Sequence, residues 1–307
     1  TAILMTTSTL AQWNLPSGIP HDNIISVQPE FYDNTIDVKQ SVINDIARIK
    51  QLEGVIEITP VSERPFDARR TANVYLTANE EAQAFQTNIF DTDFSGPKVL
   101  DLKLISGRFF NKNEVLFGHS NELQQGVAVV LVSEEMAQAL FKDEAAVGKT
   151  LWLEKGANPV QIIGVYSNFM NGERLNSVGQ SYRTVLRPQV TWQNNVDPAY
   201  LIRVERGLAP QLLETIGQEI YKTPGRYINR LEVLTRTQKR MYDGRGSRSL
   251  TFLVISGVLV LITAFGMSGL VSFLVNQRKK QIGTRRALGA TKWHVVRYFL
   301  LENAIVT

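Results

Sequence analysis

The chain has 307 residues, enough for one large or two moderate domains besides any membrane segments. It contains no cysteine, which excludes disulfides, cysteine nucleophiles and thiolate metal sites. Its net charge of +4 is uneven: residues 1–235 hold 21 basic and 27 acidic side chains, whereas residues 236–297 hold 12 and one, so the large domain is mildly acidic, which argues against nucleic-acid binding.

The chain begins and stops in apolar sequence. Residues 1–16 lack charge and predict the end of a first transmembrane helix. The alternative is the remnant of a signal peptide, but neither a basic N-terminal region nor a small-residue cleavage site is found. Residues 298–307 predict the start of a further transmembrane helix.

Two segments have the pattern strand, helix, strand. The first predicts strands at residues 24–28 and 55–59 around a helix at residues 38–52. The second predicts strands at residues 200–204 and 230–234 around a helix at residues 209–221. We therefore expect an α+β domain of two ferredoxin-like βαβ units, forming a porter-like base from residues 17–84 and 188–246.

Between these units lies a β-rich inserted subdomain, residues 85–187. Its predicted strands are near residues 85–90, 127–132, 150–154 and 160–166. One helix is predicted at residues 134–141, where Ser133 is a suitable N-cap and two glutamates follow in the first turn.

Residues 249–277 form an uncharged run of 29 residues rich in Leu, Val, Ile and Phe. The hydrocarbon core of a bilayer is crossed by about 20 such residues in a helix. The run predicts a transmembrane helix, so the chain is expected to contact the lipid bilayer.

A basic segment, residues 278–297, follows this helix and predicts a helix-turn-helix. Residues 278–288 continue the helix, Gly289 can end it in the left-handed conformation, and Thr291 can cap the next one. The segment carries seven cations: Arg278, Lys279, Lys280, Arg285, Arg286, Lys292 and Arg297. The alternative is an ordinary positive-inside anchor, which needs no ordered turn.

Charge alone orients the membrane helix weakly. Its other flank carries five cations, Arg236, Lys239, Arg240, Arg245 and Arg248, so the side of Arg278 is favoured as cytoplasmic by only seven to five.

Catalytic signatures are weak throughout the sequence. Residues 148–150, Gly-Lys-Thr, match the end of a phosphate-binding loop. That motif requires another glycine at position 143, where this chain has Asp143, and a helix after the loop, where a strand is predicted instead. With only three histidines, a catalytic triad or a histidine-rich metal site has little to work with. We expect no enzyme activity, metal site or cofactor in this chain.

Several short motifs occur in a family-specific order. They are Gly107-Arg108-Phe109-Phe110, residues 127–130, 137–141, 147–151 and 162–165, and Gln281-Ile282-Gly283-Thr284-Arg285-Arg286-Ala287-Leu288-Gly289-Ala290-Thr291 continuing to Glu302. The first five resemble the periplasmic core domain of MacB-like ABC transporter permeases. The last resembles the FtsX-like permease module, and together the resemblances cover most of residues 20–307.

This resemblance implies a multi-pass protein of the bacterial inner membrane with four transmembrane helices and a large periplasmic domain. It also implies an ABC ATPase, separate or fused, a second permease copy, and in an efflux system a periplasmic adaptor and an outer-membrane channel. The basic segment would dock in a groove of the ATPase. The contact candidates by resemblance are Ile282, Arg285, Arg286, Leu288 and Gly289.

The sequence is therefore interpreted as a permease subunit that transmits ATP-driven motion to a periplasmic domain for export or extraction. The alternative is a membrane-anchored periplasmic scaffold or sensor that regulates envelope proteins without transport. Within the family, macrolide-type efflux, lipoprotein release and envelope regulation are not separable from this sequence.

Overall fold

A computed structural model describes residues 16–32, 36–67, 71–79, 83–119, 123, 126–154, 158–171, 179–192, 198–289, 291, 293–294 and 297. Two compact units are distinguished: the larger lies within residues 7–246 and the smaller takes in the chain from residue 247 onward. The expected transmembrane segments at residues 1–16 and 298–307 lie outside the described residues, apart from Pro16.

The larger unit is a mixed α+β domain. Its strands are β1 Ile24–Phe31, β2 Val55–Val61, β3 Thr71–Val74, β4 Phe85–Thr92, β5 Leu104–Gly107, β6 Leu116–His119, β7 Val129–Ser133, β8 Thr150–Trp152, β9 Pro159–Tyr166, β10 Thr184–Trp192, β11 Ala199–Val204 and β12 Arg226–Val233. The helices are α1 Val38–Ile49, α2 Gly96–Val99, α3 Glu134–Phe141 and α4 Ala209–Tyr221.

The two predicted strand-helix-strand units interleave in one sheet. Its first four neighbours run in the order β12, β1, β11, β2, and all three pairings are antiparallel. Strands β1 and β2 are therefore parallel to each other with β11 between them. Helix α1 joins β1 to β2 and helix α4 joins β11 to β12.

Both helices pack on one face of these four strands. Tyr200 and Ile202 of β11 enter the core cluster that contains Val42 of α1 and Ile216 of α4. Leu201, between them, points to the opposite face and joins a second cluster. This alternation follows from the two-residue period of a strand, and burial on both faces explains why β11 is almost wholly apolar.

The sheet continues beyond β2 through β4, β10, β7, β9 and β5, with β3 on β4, β6 on β10 and β8 on β9. The junction is narrow, since β2 and β4 share the single register pair Val61 and Thr92. Helix α3 packs beside β7 in a third core cluster through Met136 and Leu140. The division into base and inserted subdomain remains a prediction, and its limit at residues 187 and 188 falls inside β10.

Local sequence signals account well for the helices. Helices α3 and α4 have the predicted bounds, and Ser133 accepts a hydrogen bond from the backbone N of Met136 at 3.2 Å, as an N-cap should. Helix α1 ends at Ile49, three residues before its predicted end. Helix α2 and four strands, β3, β5, β6 and β10, were not predicted.

Strand β5, which was not predicted, explains the glycine of the motif Gly107-Arg108-Phe109-Phe110. Gly107 ends β5 at φ +80°, and a Cβ there would stand 2.2 Å from the carbonyl oxygen of Ile163. Glycine is required by both the backbone conformation and the close approach of β9.

The smaller unit contains the membrane candidate. Helix α5, Leu234–Gln277, runs into it, and helix α6 spans Lys279–Ala287. Within α5, Val254–Leu274 is 21 residues long with a mean hydropathy of 2.2, and among the described residues it alone is long and apolar enough to cross a membrane.

Candidate functional site

The basic segment is an almost direct extension of helix α5. Its backbone turns at Arg278, yet the i to i−4 hydrogen bonds continue, from Arg278 N to the carbonyl of Leu274 at 3.2 Å and from Ile282 N to the carbonyl of Arg278 at 3.0 Å. The side chains of Lys279 and Lys280 are exposed on the first turn of α6. The helical course expected for residues 278–288 is therefore present through Ala287, except for this one-residue irregularity.

The predicted turn follows α6. Leu288 N donates to the carbonyl of Thr284 at 3.2 Å, and Gly289 then takes φ +94°, in the left-handed region that favours glycine. The Thr291 hydroxyl accepts from His294 N at 3.4 Å, which is the contact expected of an N-cap. The segment is thus a helix, a glycine turn and a capped second start.

We call residues 278–297 the foot. Its large apolar side chains among the described residues are Ile282, which is half-buried, Leu288, which is 83% exposed, and Trp293, which is 71% exposed. Leu288 and Trp293 are thus large apolar side chains that are exposed outside the membrane candidate. Arg285 and Arg286 lie on α6, but their side chains lie outside the described part of the chain.

Sequence reasoning missed a group of charges at the other end of helix α5. Glu232 of β12 is buried, and its carboxylate accepts from the hydroxyl of Thr237 at 2.9 Å and from Nη1 of Arg240 at 2.8 Å. Burial raises the pKa of Glu232, but the hydrogen bonds from Arg240 and Thr237, together with the positive charges of Arg240 and Arg64, outweigh burial and hold that pKa below its usual value. The sequence did contain a signal for this group, because Glu232, Thr237 and Arg240 lie within nine residues where the strand passes into the helix.

A second missed group lies at the β2 to β4 junction. The buried Asp93 carboxylate accepts from the Thr59 hydroxyl at 2.6 Å and from Ser95 N at 2.8 Å, and burial raises its pKa to about 6. Burial also raises the pKa of the neighbouring Glu57. The hydrogen bonds and positive charges of Lys50 and Lys98 nevertheless keep that pKa below its usual value.

The tetrad at residues 147–150 has its own local partners. Gly148 N donates to the carbonyl of Ile162 at 2.8 Å, and Lys149 pairs with Glu144 while its Nζ stands 4.3 Å from the Phe141 ring centroid. Thr150 begins strand β8. Among the described residues, no group of three or more His, Cys, Asp or Glu side chains is arranged to hold a metal ion.

Two family models match the sequence. The MacB-like periplasmic core domain matches residues 1–218, and the FtsX-like permease C-terminal matches residues 253–307.

Similar proteins include two named transport components. "Uncharacterized ABC transporter permease YknZ" of Bacillus subtilis is 26% identical over 275 residues, covering 86% of this chain and 62% of the relative. "Macrolide export ATP-binding/permease protein MacB" of Neisseria gonorrhoeae is 26% identical over 220 residues, covering 68% of this chain and 31% of the relative. The chain thus spans less than two thirds of either protein.

Similar solved structures include the periplasmic region of MacB from Actinobacillus actinomycetemcomitans. The TM-score is 0.44 and the sequence identity is 18%, and the match covers 75% of this chain and 97% of that one. The extracellular domain of YknZ from Gram-positive bacteria gives a TM-score of 0.38 and 15% identity, covering 67% and 100%.

Proposed function

The chain belongs to the family of ABC transporter permeases that carry a MacB-like periplasmic core domain and an FtsX-like permease C-terminal module, and from this membership we propose that it transmits ATP-driven motion across the membrane to its large domain, for export or extraction of a substrate. The motion would begin at the foot, pass through the transmembrane helix and end in the α+β domain. ATP hydrolysis would be performed by a partner subunit or by a segment outside this chain.

The observation that carries the proposal is the foot. It places Leu288, 83% exposed, beside a glycine turn directly after a helix able to span a membrane. A plain positive-inside anchor has no use for an ordered turn or an exposed leucine. We therefore propose that Ile282, Arg285, Arg286, Leu288 and Gly289 contact an ATPase.

The strand order supports a further detail of the large domain. Numbered by their order along the chain, the four strands of the base stand as 4-1-3-2, all neighbours antiparallel, with both helices on one face. We infer a ferredoxin-like base, residues 17–84 and 188–246, carrying the inserted subdomain of residues 85–187. Such a base would bring both of its ends to the membrane side.

The proposed partners are an ABC ATPase subunit, a second permease copy and the lipid bilayer. The Neisseria relative is named as an ATP-binding and permease protein, and the present chain covers 31% of it, which is compatible with ATP binding outside the segment shared with this chain. A periplasmic adaptor and an outer-membrane channel would join the assembly if it serves efflux. We place the protein in the bacterial inner membrane as a multi-pass subunit with its large domain in the periplasm.

The alternative function is a membrane-anchored scaffold or sensor that regulates envelope proteins without transport. It needs the same large domain but makes no use of an ATPase-binding foot.

Affinity purification distinguishes the two functions. The full-length protein is captured from its native membranes as wild type and as the double variant Gly289→Val with Arg285→Glu. We expect an ATP-hydrolysing subunit to accompany wild type and to be depleted with the variant, because valine strains the left-handed turn and glutamate reverses a contact charge. Equal recovery of such a subunit would show that these two foot residues do not hold the ATPase, and its absence from both preparations would favour the scaffold.

A further inference from the structure

Strand β12 passes into helix α5 without a connecting loop. The strand ends at Val233 and the helix begins at Leu234, whose side chain is fully buried in a core cluster with Ile24 and Leu201. The hydroxyl of the next residue, Thr235, donates to the carbonyl of His21 at 3.2 Å. The first turn of α5 is therefore held by core packing and by a bond to the segment that precedes β1.

Glu232 reinforces this passage one turn farther along the helix. Its carboxylate receives Thr237 from the first turn of α5 and both terminal nitrogens of Arg240 from the second. A forked guanidinium bound by two parallel hydrogen bonds fixes direction as well as distance, which a lysine would not do. The carboxylate is buried in the domain, so the strand is the fixed partner in this contact.

The same carboxylate is linked to a second part of the domain. Nη1 of Arg64, on the segment after β2, stands 3.7 Å from Oε1 of Glu232. Arg64 also pairs with Asp67, and Asp67 accepts from Arg230 of β12 at 3.0 Å. The side chains form a row of alternating charge, in the order Arg240, Glu232, Arg64, Asp67 and Arg230.

An isolated surface ion pair would contribute little rigidity, because water screens it and both side chains lose freedom. This row differs, since Glu232 and Arg64 at its centre are both buried. Breaking a contact to a buried charge is costly, so a displaced Arg240 would pull Glu232 along before it separated from it.

We propose that Glu232 is a positioning residue that locks the first two turns of α5 to β12, so that a displacement of α5 is passed to the sheet and to the segment after β2. This inference rests on the proposed function, in which α5 moves during the ATPase cycle. It adds the place where that motion enters the large domain.

Spin labelling tests the inference directly, because the chain contains no cysteine of its own. A single label is attached through Thr215→Cys, an exposed position on α4, which packs on β12 where Gly217 faces Leu231. Distances between the labels of two permease copies are measured in the full-length complex with its co-purified ATPase, with and without ATP and vanadate. The variants are Arg240→Gln, Arg240→Lys and, as a matched control, Arg108→Gln, which breaks an exposed arginine–glutamate pair elsewhere.

We expect ATP to shift the distance in wild type and in Arg108→Gln. In Arg240→Gln, the change that ATP causes in the ratio of the two label distances, with and without ATP, should be about five-fold smaller than in wild type. Arg240→Lys should restore part of this ATP-dependent change. The ATPase rate should match that of the control. The melting temperature of Arg240→Gln should fall, because the buried Glu232 loses a partner, but the variant should remain folded at the temperature of the distance measurement. A full ATP-dependent shift in Arg240→Gln would overturn the positioning role, and so would a loss of shift that tracks a lowered melting temperature and is not restored by lysine. Absence of any shift in wild type would overturn the proposed function itself, and the positioning role with it.

Discussion

Asp45 of α1 and Arg226 of β12 form an ion pair in which neither side chain is exposed, with Nη1 of Arg226 2.7 Å from Oδ2 of Asp45. The Tyr200 hydroxyl donates to the same carboxylate oxygen at 2.8 Å, and Arg226 also donates to the Ser41 hydroxyl and to the carbonyl of Ile220. The network joins α1 of the first strand-helix-strand unit to α4, β11 and β12 of the second.

Asp45→Asn tests what this pair contributes. The substitution would leave the buried Arg226 charge without its carboxylate, so we expect the unfolding free energy to fall by about 3 to 5 kcal/mol. Denaturant unfolding of the full-length protein measures the loss. Glu144→Gln is the control: its pair with Lys149 lies on the surface, so the unfolding free energy should change little. Equal effects of the two substitutions would mean that the buried pair has no special part in joining the units.

Asp93 predicts a dependence of stability on pH. Its pKa in the folded protein is raised to about 6 from 3.8, so between these values the folded state binds more protons than the unfolded state. The stability that this group contributes therefore falls as pH rises above the lower pKa, and the fall is complete once the pH is well above the higher pKa. Between about pH 5 and about pH 8, the fall is about 1 kcal/mol.

Asp93→Asn should remove that decrease, since the amide oxygen can still accept from Thr59 and Ser95 while no charge is buried. Unfolding free energies of both proteins across this pH range provide the measurement. A variant that is no more stable than wild type at about pH 8, or whose unfolding free energy falls with pH as steeply, would contradict the raised pKa of Asp93.

The two glycines of the foot form a matched pair. Gly289 has φ +94°, whereas Gly283 lies within α6, and neither would place a Cβ within 4 Å of another atom. Gly289→Ala should therefore destabilise the turn by about 1 kcal/mol or more, while Gly283→Ala should stabilise the helix by about 1 kcal/mol. Hydrogen exchange of the amides around residues 284–294 should rise in the first variant and fall in the second. The same direction of change in both would contradict the left-handed turn.

Membrane topology is tested by cysteine labelling. Asn113→Cys, exposed in the large domain, should react with an impermeant thiol reagent in intact spheroplasts, and Thr284→Cys, exposed in the foot, should react only after permeabilisation. The reverse pattern would invert the orientation, which charge alone favours by only seven cations to five.

Short-range signals predicted the helices well, because caps and apolar periodicity act within a few residues. Ser133 caps α3 and the apolar stripe of α4 faces the sheet, as expected. Strand β10 was missed because Pro188 lies within it, and proline normally argues against a central strand. Its position depends on distant partners, notably Asp91, whose carboxylate receives two hydrogen bonds from Arg187.

The foot was predicted from local sequence for the same reason: a glycine turn and a threonine cap are local features. The row through Glu232 and Arg64 was not, because the two residues are far apart in sequence and meet only when β2 and β12 join one sheet. Separation along the chain also hid Asp93, whose pKa depends on burial beneath the β2 to β4 junction.

Site-specific photo-cross-linking from Leu288 tests the central claim, that the foot contacts an ATPase. Leu288→Cys in full-length protein is labelled with a membrane-permeant benzophenone maleimide, illuminated in native membranes, and the adducts are identified by mass spectrometry; Asn113→Cys is the control. We expect a cross-link from position 288, and none from position 113, to an ATP-binding subunit, with a yield that changes when ATP is added. Efficient labelling at position 288 without any ATP-binding subunit among the adducts would contradict that claim.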